Sequence, residues 1–355
     1  MCLQTTKKIK EGCFEFKLSG VVQGVGFRPF VYKIAVEHNL KGWVKNTNYG
    51  LFIVVQGALS NIETFKKQLI SEAPTLARIK KIETRQIKTK QITDFQILLS
   101  DIKGDRKALI PPDIAICPAC VKDVLSVESR FYLYPFTNCT NCGPRFTIVE
   151  RLPYDRKQTS MKEFPMCTDC AFEYNTMSNR RFHAQPIACN RCGPKVKLIG
   201  KDGNILQENW LTKTWQLLKE GKIIAAKGLG GFHLICKVEH SVIDRLRRLK
   251  DREDKPLPVM CRDLSVVKHF CIVTKKEQDL LTSPIAPIVV MPVKNNDTLP
   301  SNLTKGLPTL GVMLPYSPLH LLLLQGPENI LIATSANISD LPLIKDNEQA
   351  LSKLQ

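Results

Sequence analysis

In residues 14–18 the apolar Phe14, Phe16 and Leu18 alternate with Glu15 and Lys17, which predicts a half-buried strand. A glycine-rich turn follows over residues 20–26. From residue 28 to 40, Phe30, Val31, Ile34, Ala35 and Leu40 recur at helical spacing, with Pro29 at a helix start, where its missing N–H costs little. Two alternating runs, residues 42–46 and 51–56, flank a hairpin turn at residues 47–50. A second helix over residues 61–71 and a strand over 79–87 complete the order β-α-β-β-α-β, that of a ferredoxin-like sandwich, and one more strand is predicted over 95–99. After a joint at residues 100–113, marked by Gly104, Pro111 and Pro112, cysteines replace periodicity as the organising feature. Alternation returns after residue 200, with strands predicted over residues 223–226, 285–291 and 330–333, and helices over 241–252, 275–281 and 347–354. The pattern predicts an α+β multidomain chain: 1–100, 101–200 and an α/β domain over 201–355.

Eight of the thirteen cysteines form four C-x2-C pairs, Cys117/Cys120, Cys139/Cys142, Cys167/Cys170 and Cys189/Cys192, separated by 18, 24 and 18 residues. A two-pair unit therefore occurs twice. The surroundings repeat as well: Arg130-Phe131 and Arg181-Phe182 precede Pro135 and Pro186, and the units close on Cys142-Gly143-Pro144 and Cys192-Gly193-Pro194. Duplication is the simplest account. Four thiolates at this spacing suit one tetrahedral Zn2+, so two closed, structural zinc sites of the ribbon type are expected. A pair from each repeat sharing one metal satisfies the spacing equally and stays open. Cys2, Cys13, Cys236, Cys261 and Cys271 have no metal spacing and read as small buried hydrophobes. His183 and His233, each isolated, read as structural residues.

Length and composition narrow the class. At 355 residues, 43% apolar and 24% charged, the chain exceeds one small domain and is not a disordered polymer. No uncharged apolar run reaches membrane-spanning length, and the first ten residues are polar and basic, so a cytoplasmic chain without a membrane partner is expected. Fifty-one Lys and Arg against 33 Asp and Glu give +18, which favours anionic partners: nucleic acid, phosphorylated metabolites or acidic proteins.

The turn Gly20-Val21-Val22-Gln23-Gly24-Val25-Gly26-Phe27-Arg28 runs from a strand into a helix. Glycines let backbone N–H groups face inward as an anion nest, the helix N-terminus adds positive potential, and Arg28 offers a fork for phosphate oxygens. These residues resemble the acylphosphatase signature, and Gly42-Trp43-Val44-Lys45-Asn46 with Gly50 resembles its second signature. The resemblance implies that Arg28 and the loop Gln23, Gly24, Val25, Gly26 and Phe27 hold a phosphate while Asn46 positions the attacking water. Residues 50–57 look one residue shorter than the family pattern, which puts that strand's register in question.

In the third domain, residues 246–256 read blandly as a solvated basic helix end and residues 331–337 as a strand entering a turn. Clustered cations and small polar side chains at a strand's end also suit a nucleotide. Together they resemble the K-x-R-x-x-K-P and S-x-N motifs of the YrdC family, which implies a nucleotide site of Lys250, Arg252, Lys255, Ser335 and Asn337.

Acylphosphatase-like, double-zinc and YrdC-like modules in this order resemble the HypF family of hydrogenase maturation carbamoyltransferases. Further stretches add to the likeness: residues 108–113, 138–146, Leu152-Pro153-Tyr154-Asp155-Arg156, residues 181–186 and 227–233. The resemblance implies a relay. Carbamoyl phosphate is hydrolysed to carbamate, and ATP, with Mg2+, converts the carbamate to carbamoyl-adenylate. The carbamoyl group then passes to the C-terminal cysteine thiol of a partner maturation protein. Family members continue further, so the YrdC-like module is expected to be C-terminally incomplete and the final transfer domain absent. Two alternatives stand beside this: an RNA-associated zinc-ribbon/YrdC protein that binds nucleic acid, against which the fingers offer no basic recognition helix, and a stand-alone acylphosphatase.

Overall fold

A computed structural model describes residues 10–102, 107–251, 255–294, 299–337 and 342–354. The described residues fall into two compact units. One comprises those up to Pro112 with Asn138–Ile187, and the other comprises Asp113–Thr137 with those from Ala188 on.

The first unit is built on β1 (Glu11–Val21), α1 (Phe27–Glu37), β2 (Lys41–Thr47), β3 (Gly50–Ala58), α2 (Leu59–Ser71), β4 (Arg78–Ile87) and β5 (Phe95–Ile97). The sheet order is β4-β1-β3-β2-β5, antiparallel except where β5 runs parallel to β2. Phe16, Leu18, Val44, Ile53 and Val55 from the sheet meet Val31, Ile34 and Ala35 of α1 and Ile62, Phe65 and Leu69 of α2 in one core. This is the predicted ferredoxin-like order. The question raised over residues 50–57 is resolved by the pairing: β3 runs alongside β1 from Glu11↔Ala58 to Leu18↔Leu51 without a break. The charged β4 lies at the sheet's edge, mostly exposed, where Lys and Arg discourage further strand pairing.

Each cysteine repeat carries one short helix, α3 (Pro118–Leu125) and α4 (Thr168–Asn175), starting directly after the first cysteine of a pair. Pro118 at the first turn of α3 fits because that N–H has no helical acceptor.

The second unit continues with α5 (Trp210–Lys219), β6 (Ile224–Lys227), β7 (Phe232–Lys237), α6 (His240–Lys250), β8 (Val259–Cys261), α7 (Leu264–Phe270) and α8 (Lys275–Leu281). It then runs through β9 (Val289–Pro292), α9 (Ser301–Thr304), β10 (Thr309–Met313), α10 (Pro318–Leu323), β11 (Ile330–Ser335) and α11 (Asn347–Lys353). Its sheet has the order β6-β7-β11-β8-β10-β9, with β8 and β10 parallel and the other pairs antiparallel. One core joins Val242, Ile243 and Leu246 of α6 to Val259, Val312 and Ile332 of the sheet. Val124 of α3 packs with Leu211, Leu321 and Leu322 in a second cluster.

Several expected elements are shorter: the first helix, expected over 28–40, ends at Glu37, and the strand expected over 95–99 ends at Ile97. The strand predicted over 285–291 survives only as β9, because Ala286 adopts a left-handed φ of 41° between two prolines and Ile285 is 79% exposed. The helix predicted to residue 252 stops at Lys250, where Asp251 caps it at φ 48°. No helix of the described residues is long and apolar enough to cross a membrane.

Candidate functional site

The turn between β1 and α1 is held in shape by backbone conformation. Gly24 and Gly26 take φ of 68° and 79°, values L side chains rarely adopt, and Gly26 immediately precedes α1. Val22, Val25 and Phe27 are buried, which anchors the loop to the core beneath it. Arg28, in the first turn of α1, is 8% exposed, and Asn46, near the end of β2, is 1% exposed. The resemblance to acylphosphatases names these two side chains, far apart in sequence, and they converge. Arg28 Nη2 and Asn46 Nδ2 donate to one and the same oxygen, the Tyr154 carbonyl, at 3.1 and 3.0 Å.

The other polar groups here are equally committed. Arg28 Nη1 pairs with Asp155 Oδ1 at 2.6 Å. Gln23 Nε2 donates to the Thr47 and Gly50 carbonyls and its Oε1 accepts from the Tyr154 N–H, so what Gln23 can offer an anion is its backbone N–H. Asn46 Oδ1 is buried with no hydrogen-bond partner among the described residues. Arg28, Asn46, Gln23, Gly24, Gly26 and Phe27 line a cavity of about 20 Å³, room for one water. His183 also lines it. Burial, and then the charge of Arg28, push its imidazole down to about 3, so it is neutral at physiological pH.

Each cysteine repeat closes on itself. The Sγ atoms of Cys117, Cys120, Cys139 and Cys142 all lie within 4.8 Å of one another, and so do those of Cys167, Cys170, Cys189 and Cys192. This decides between the two pairings the spacing allowed, in favour of pairing within a repeat. A tetrahedral Zn2+ with Zn–S of about 2.3 Å places its sulfurs about 3.8 Å apart. The Cys139–Cys142 and Cys189–Cys192 sulfurs stand at 3.7 and 3.9 Å. Two four-cysteine clusters thus fit two zinc sites. Four protein thiolates fill the coordination sphere, so the metal would supply folding energy rather than an open Lewis-acid position. The lone cysteines Cys13, Cys236, Cys261 and Cys271 are buried, and burial raises their thiol pKa values, to about 12 for Cys236 and about 11 for Cys271. Inert packing, as expected from sequence, follows for these four; Cys2 lies outside the described residues.

Of the five residues implied for a nucleotide, three come together. Lys250, at the end of α6 and 6% exposed, donates through Nζ to the carbonyl oxygens of Ser335 and Asn337. Ser335 Oγ in turn donates to Asn337 Oδ1 at 2.6 Å. Lys255 is exposed, its carbonyl accepting from Arg247 Nη1 at 2.8 Å, and Arg252 lies outside the described residues. Sequence reasoning passed over two neighbourhoods. Tyr154 and Asp155 carried a signal only as part of a family-like stretch. His233 sits opposite Ser335 in the β7–β11 register and stacks 5.5 Å from His320, which is itself 4.6 Å from Tyr316. Both ring nitrogens of His320 are buried without partners among the described residues. No periodicity announces a histidine at such a place.

Comparison with known proteins gives consistent results along the chain. A family model described as Acylphosphatase matches residues 14–97, one described as HypF finger matches 116–149 and 166–199, and one described as Telomere recombination, of the Sua5/YciO/YrdC type, matches 216–355. The chain is 45% identical over 343 residues to a probable carbamoyltransferase HypF of Methanocaldococcus jannaschii, covering 95% of this chain and 44% of that protein. It is 41% identical to the carbamoyltransferase HypF of Rhodobacter capsulatus, covering 96% of this chain and 45% of that protein. A crystal structure of full-length HypF in a phosphate- and nucleotide-bound form superposes with a TM-score of 0.92 at 44% identity, over 97% of this chain and 45% of that one. The chain therefore spans a little under half the length of the relatives it matches.

Proposed function

Because the chain belongs to the HypF family, we propose that it serves carbamoyl transfer in [NiFe] hydrogenase maturation and begins by hydrolysing carbamoyl phosphate at the Arg28/Asn46 cradle. Arg28 and the backbone N–H groups of residues 23–27 hold the phosphoryl oxygens, neutralising charge at a helix start. Asn46 holds the attacking water, its buried Oδ1 accepting a hydrogen bond from it. Water attacks the phosphorus, the bond from phosphorus to the bridging oxygen breaks, the water's protons stay with the phosphate, and the products are dihydrogen phosphate and carbamate. The observation that carries this reading is the convergence of Arg28 and Asn46 on one acceptor oxygen, at 3.1 and 3.0 Å. Two donors so placed can act on one small anion, as acyl phosphate hydrolysis by positioning and charge neutralisation requires.

Carbamate is short-lived in water, so a second site must capture it. The group of Lys250, Arg252, Lys255, Ser335 and Asn337 takes ATP, with Mg2+, and converts carbamate to carbamoyl-adenylate with release of pyrophosphate. The carbamoyl acceptor is the C-terminal cysteine thiol of a partner maturation protein, and the work is cytoplasmic. Phosphate release from carbamoyl phosphate by the full chain and by Arg28→Ala tests the first step. The substitution should lower kcat/KM by about a hundredfold or more, in line with loss of a buried charge-stabilising group. Equal rates in the two proteins would refute it.

A further inference from the structure

Both side chains that the proposed hydrolysis assigns to substrate or water donate to a dipeptide of the chain itself. Arg28 offers its fork to the Asp155 carboxylate and the Tyr154 carbonyl, and Asn46 Nδ2 goes to that same carbonyl. The Tyr154 N–H is latched by Gln23 Oε1 at 2.9 Å. A carboxylate and a carbonyl oxygen on an arginine fork present the pattern of two phosphoryl oxygens. The cavity left beside them, about 20 Å³, has room for a water but not for a phosphate group.

We propose that Tyr154-Asp155 is a built-in competitor of the phosphoryl group, occupying the Arg28/Asn46 cradle in the closed state and leaving it when phosphate or carbamoyl phosphate enters. The proposal rests on the assignment of Arg28 and Asn46 to phosphate and water.

Tyr154 is 2% exposed, so the movement is one of the 154–155 backbone and the Asp155 carboxylate about a seated ring. The neighbouring Arg156 is fixed: its Nη1 donates to the Gln185 and Ile187 carbonyls at 2.7 and 2.8 Å, its Nη2 to the Phe164 carbonyl at 2.6 Å, and its backbone N–H to Gln185 Oε1 at 2.8 Å. The Asp155 side chain, by contrast, is 23% exposed while its partner Arg28 is 9% exposed. A swing confined to residues 154 and 155 would carry the carboxylate to water and leave the anchor in place. Charge sets the exchange. A buried guanidinium without a counter-ion is costly, so the cradle is stable only with one anion or the other on it. An incoming phosphate dianion and the Asp155 carboxylate cannot share the fork without repulsion.

The test uses the full chain and inorganic phosphate as probe, with Asp155→Asn and Asp155→Ala. A closed state that excludes ligand reduces apparent affinity by the fraction of molecules held closed. Weakening the competitor should therefore tighten phosphate binding in calorimetric titration by about tenfold and lower the KM for carbamoyl phosphate. Unchanged or weaker phosphate binding in both variants overturns the proposal. A second measurement needs no variant: saturating phosphate should speed amide hydrogen exchange at Tyr154, whose N–H is released from Gln23, and unaltered exchange overturns the proposal equally. Failure of the underlying assignment has a different signature, namely full hydrolysis by Arg28→Ala. An inactive Arg28→Ala with phosphate affinity indifferent to Asp155 removes the competitor alone.

Discussion

Arg145 ties the first cysteine repeat to the glycine-rich turn, and its replacement by methionine, similar in length but without charge or donors, should be among the more damaging single changes in this unit. The guanidinium is 2% exposed and donates to five backbone carbonyls: Gly24 through Nε at 2.5 Å, Cys142 and Pro144 through Nη1 at 3.2 and 2.8 Å, and Cys139 and Thr140 through Nη2 at 3.2 and 2.8 Å. Hydrogen bonds from a charged donor contribute about 1.5–3 kcal/mol each, and they do not add. A buried carbonyl left without a donor costs about 1–3 kcal/mol, so with partial rescue by other donors a loss of about 3–5 kcal/mol is expected here. Three of the acceptors belong to the knuckle holding Cys139 and Cys142, where two thiolates concentrate negative charge once metal is bound, so zinc should also leave faster. Native-state amide exchange at Cys142 and Val149, whose N–H groups bond to the carbonyls of Cys139 and Arg145, reads the local stability directly. A chelator-driven zinc release assay reads the second effect. Arg145→Lys, keeping charge but not the fork, should fall between wild type and Arg145→Met. A loss below about 1 kcal/mol in Arg145→Met with unaltered zinc release would refute the reasoning, since it would mean that five buried carbonyls find other donors without penalty.

Two further outcomes are expected. Metal analysis of the full chain should find about two zincs per molecule, and Cys120→Ser, which removes one ligand from the first cluster, should leave about one; an unchanged content would contradict four-thiolate binding. Stability should fall as pH drops below 6.5. His183 and His320 are pushed down to about 3 and His233 is lowered, each chiefly by burial, so the unfolded chain binds protons there that the folded chain does not. Their contribution is whole above pH 6.5 and is lost toward pH 3, at about 1.4 kcal/mol per pH unit for each histidine titrating only when unfolded. His320→Phe should flatten urea-unfolding free energy against pH by about one proton, and an unaltered slope would show that His320 is protonated in the folded chain.

The parts of the molecule written in period and spacing were legible. β1, α1, β2, β3 and α2 each carry five or more residues of clean alternation or helical recurrence, and the 18-residue gaps between cysteine pairs led directly to two four-cysteine clusters. The second unit was harder because its sheet is assembled from strands such as Val259–Cys261 and Val289–Pro292, buried or bounded by prolines, with too few residues for a period to show. Side-chain commitments were out of reach. Residue type marks Lys250 as a cation suited to phosphate, while packing buries its ammonium against two backbone carbonyls of the turn it was expected to share a ligand with. Likewise Asp155 in a loop between cysteine pairs reads as a solvated acid, and only the folded chain brings it 2.6 Å from Arg28, 127 residues away.

Arg28 and Lys250 share a physical requirement, and it explains why neither cradle stands open. A cation sequestered from water is tolerable only with a compensating charge or dipoles, because desolvation costs several kcal/mol per ion. Arg28, at the start of a helix, lacks the favourable end of the helix dipole that would help a cation, so a full carboxylate is enlisted along with a carbonyl. Lys250 sits in the last turn of α6, where the dipole already favours positive charge, and its ammonium donates to two carbonyls. An anionic ligand at either place therefore meets a cation that already has partners, and its affinity is a difference between electrostatic partners. At Arg28 that difference is set by Asp155, an ionisable side chain that a single substitution can neutralise. At Lys250 two of the partners are main-chain oxygens that no substitution removes. Tunable affinity is accordingly expected at the first cradle.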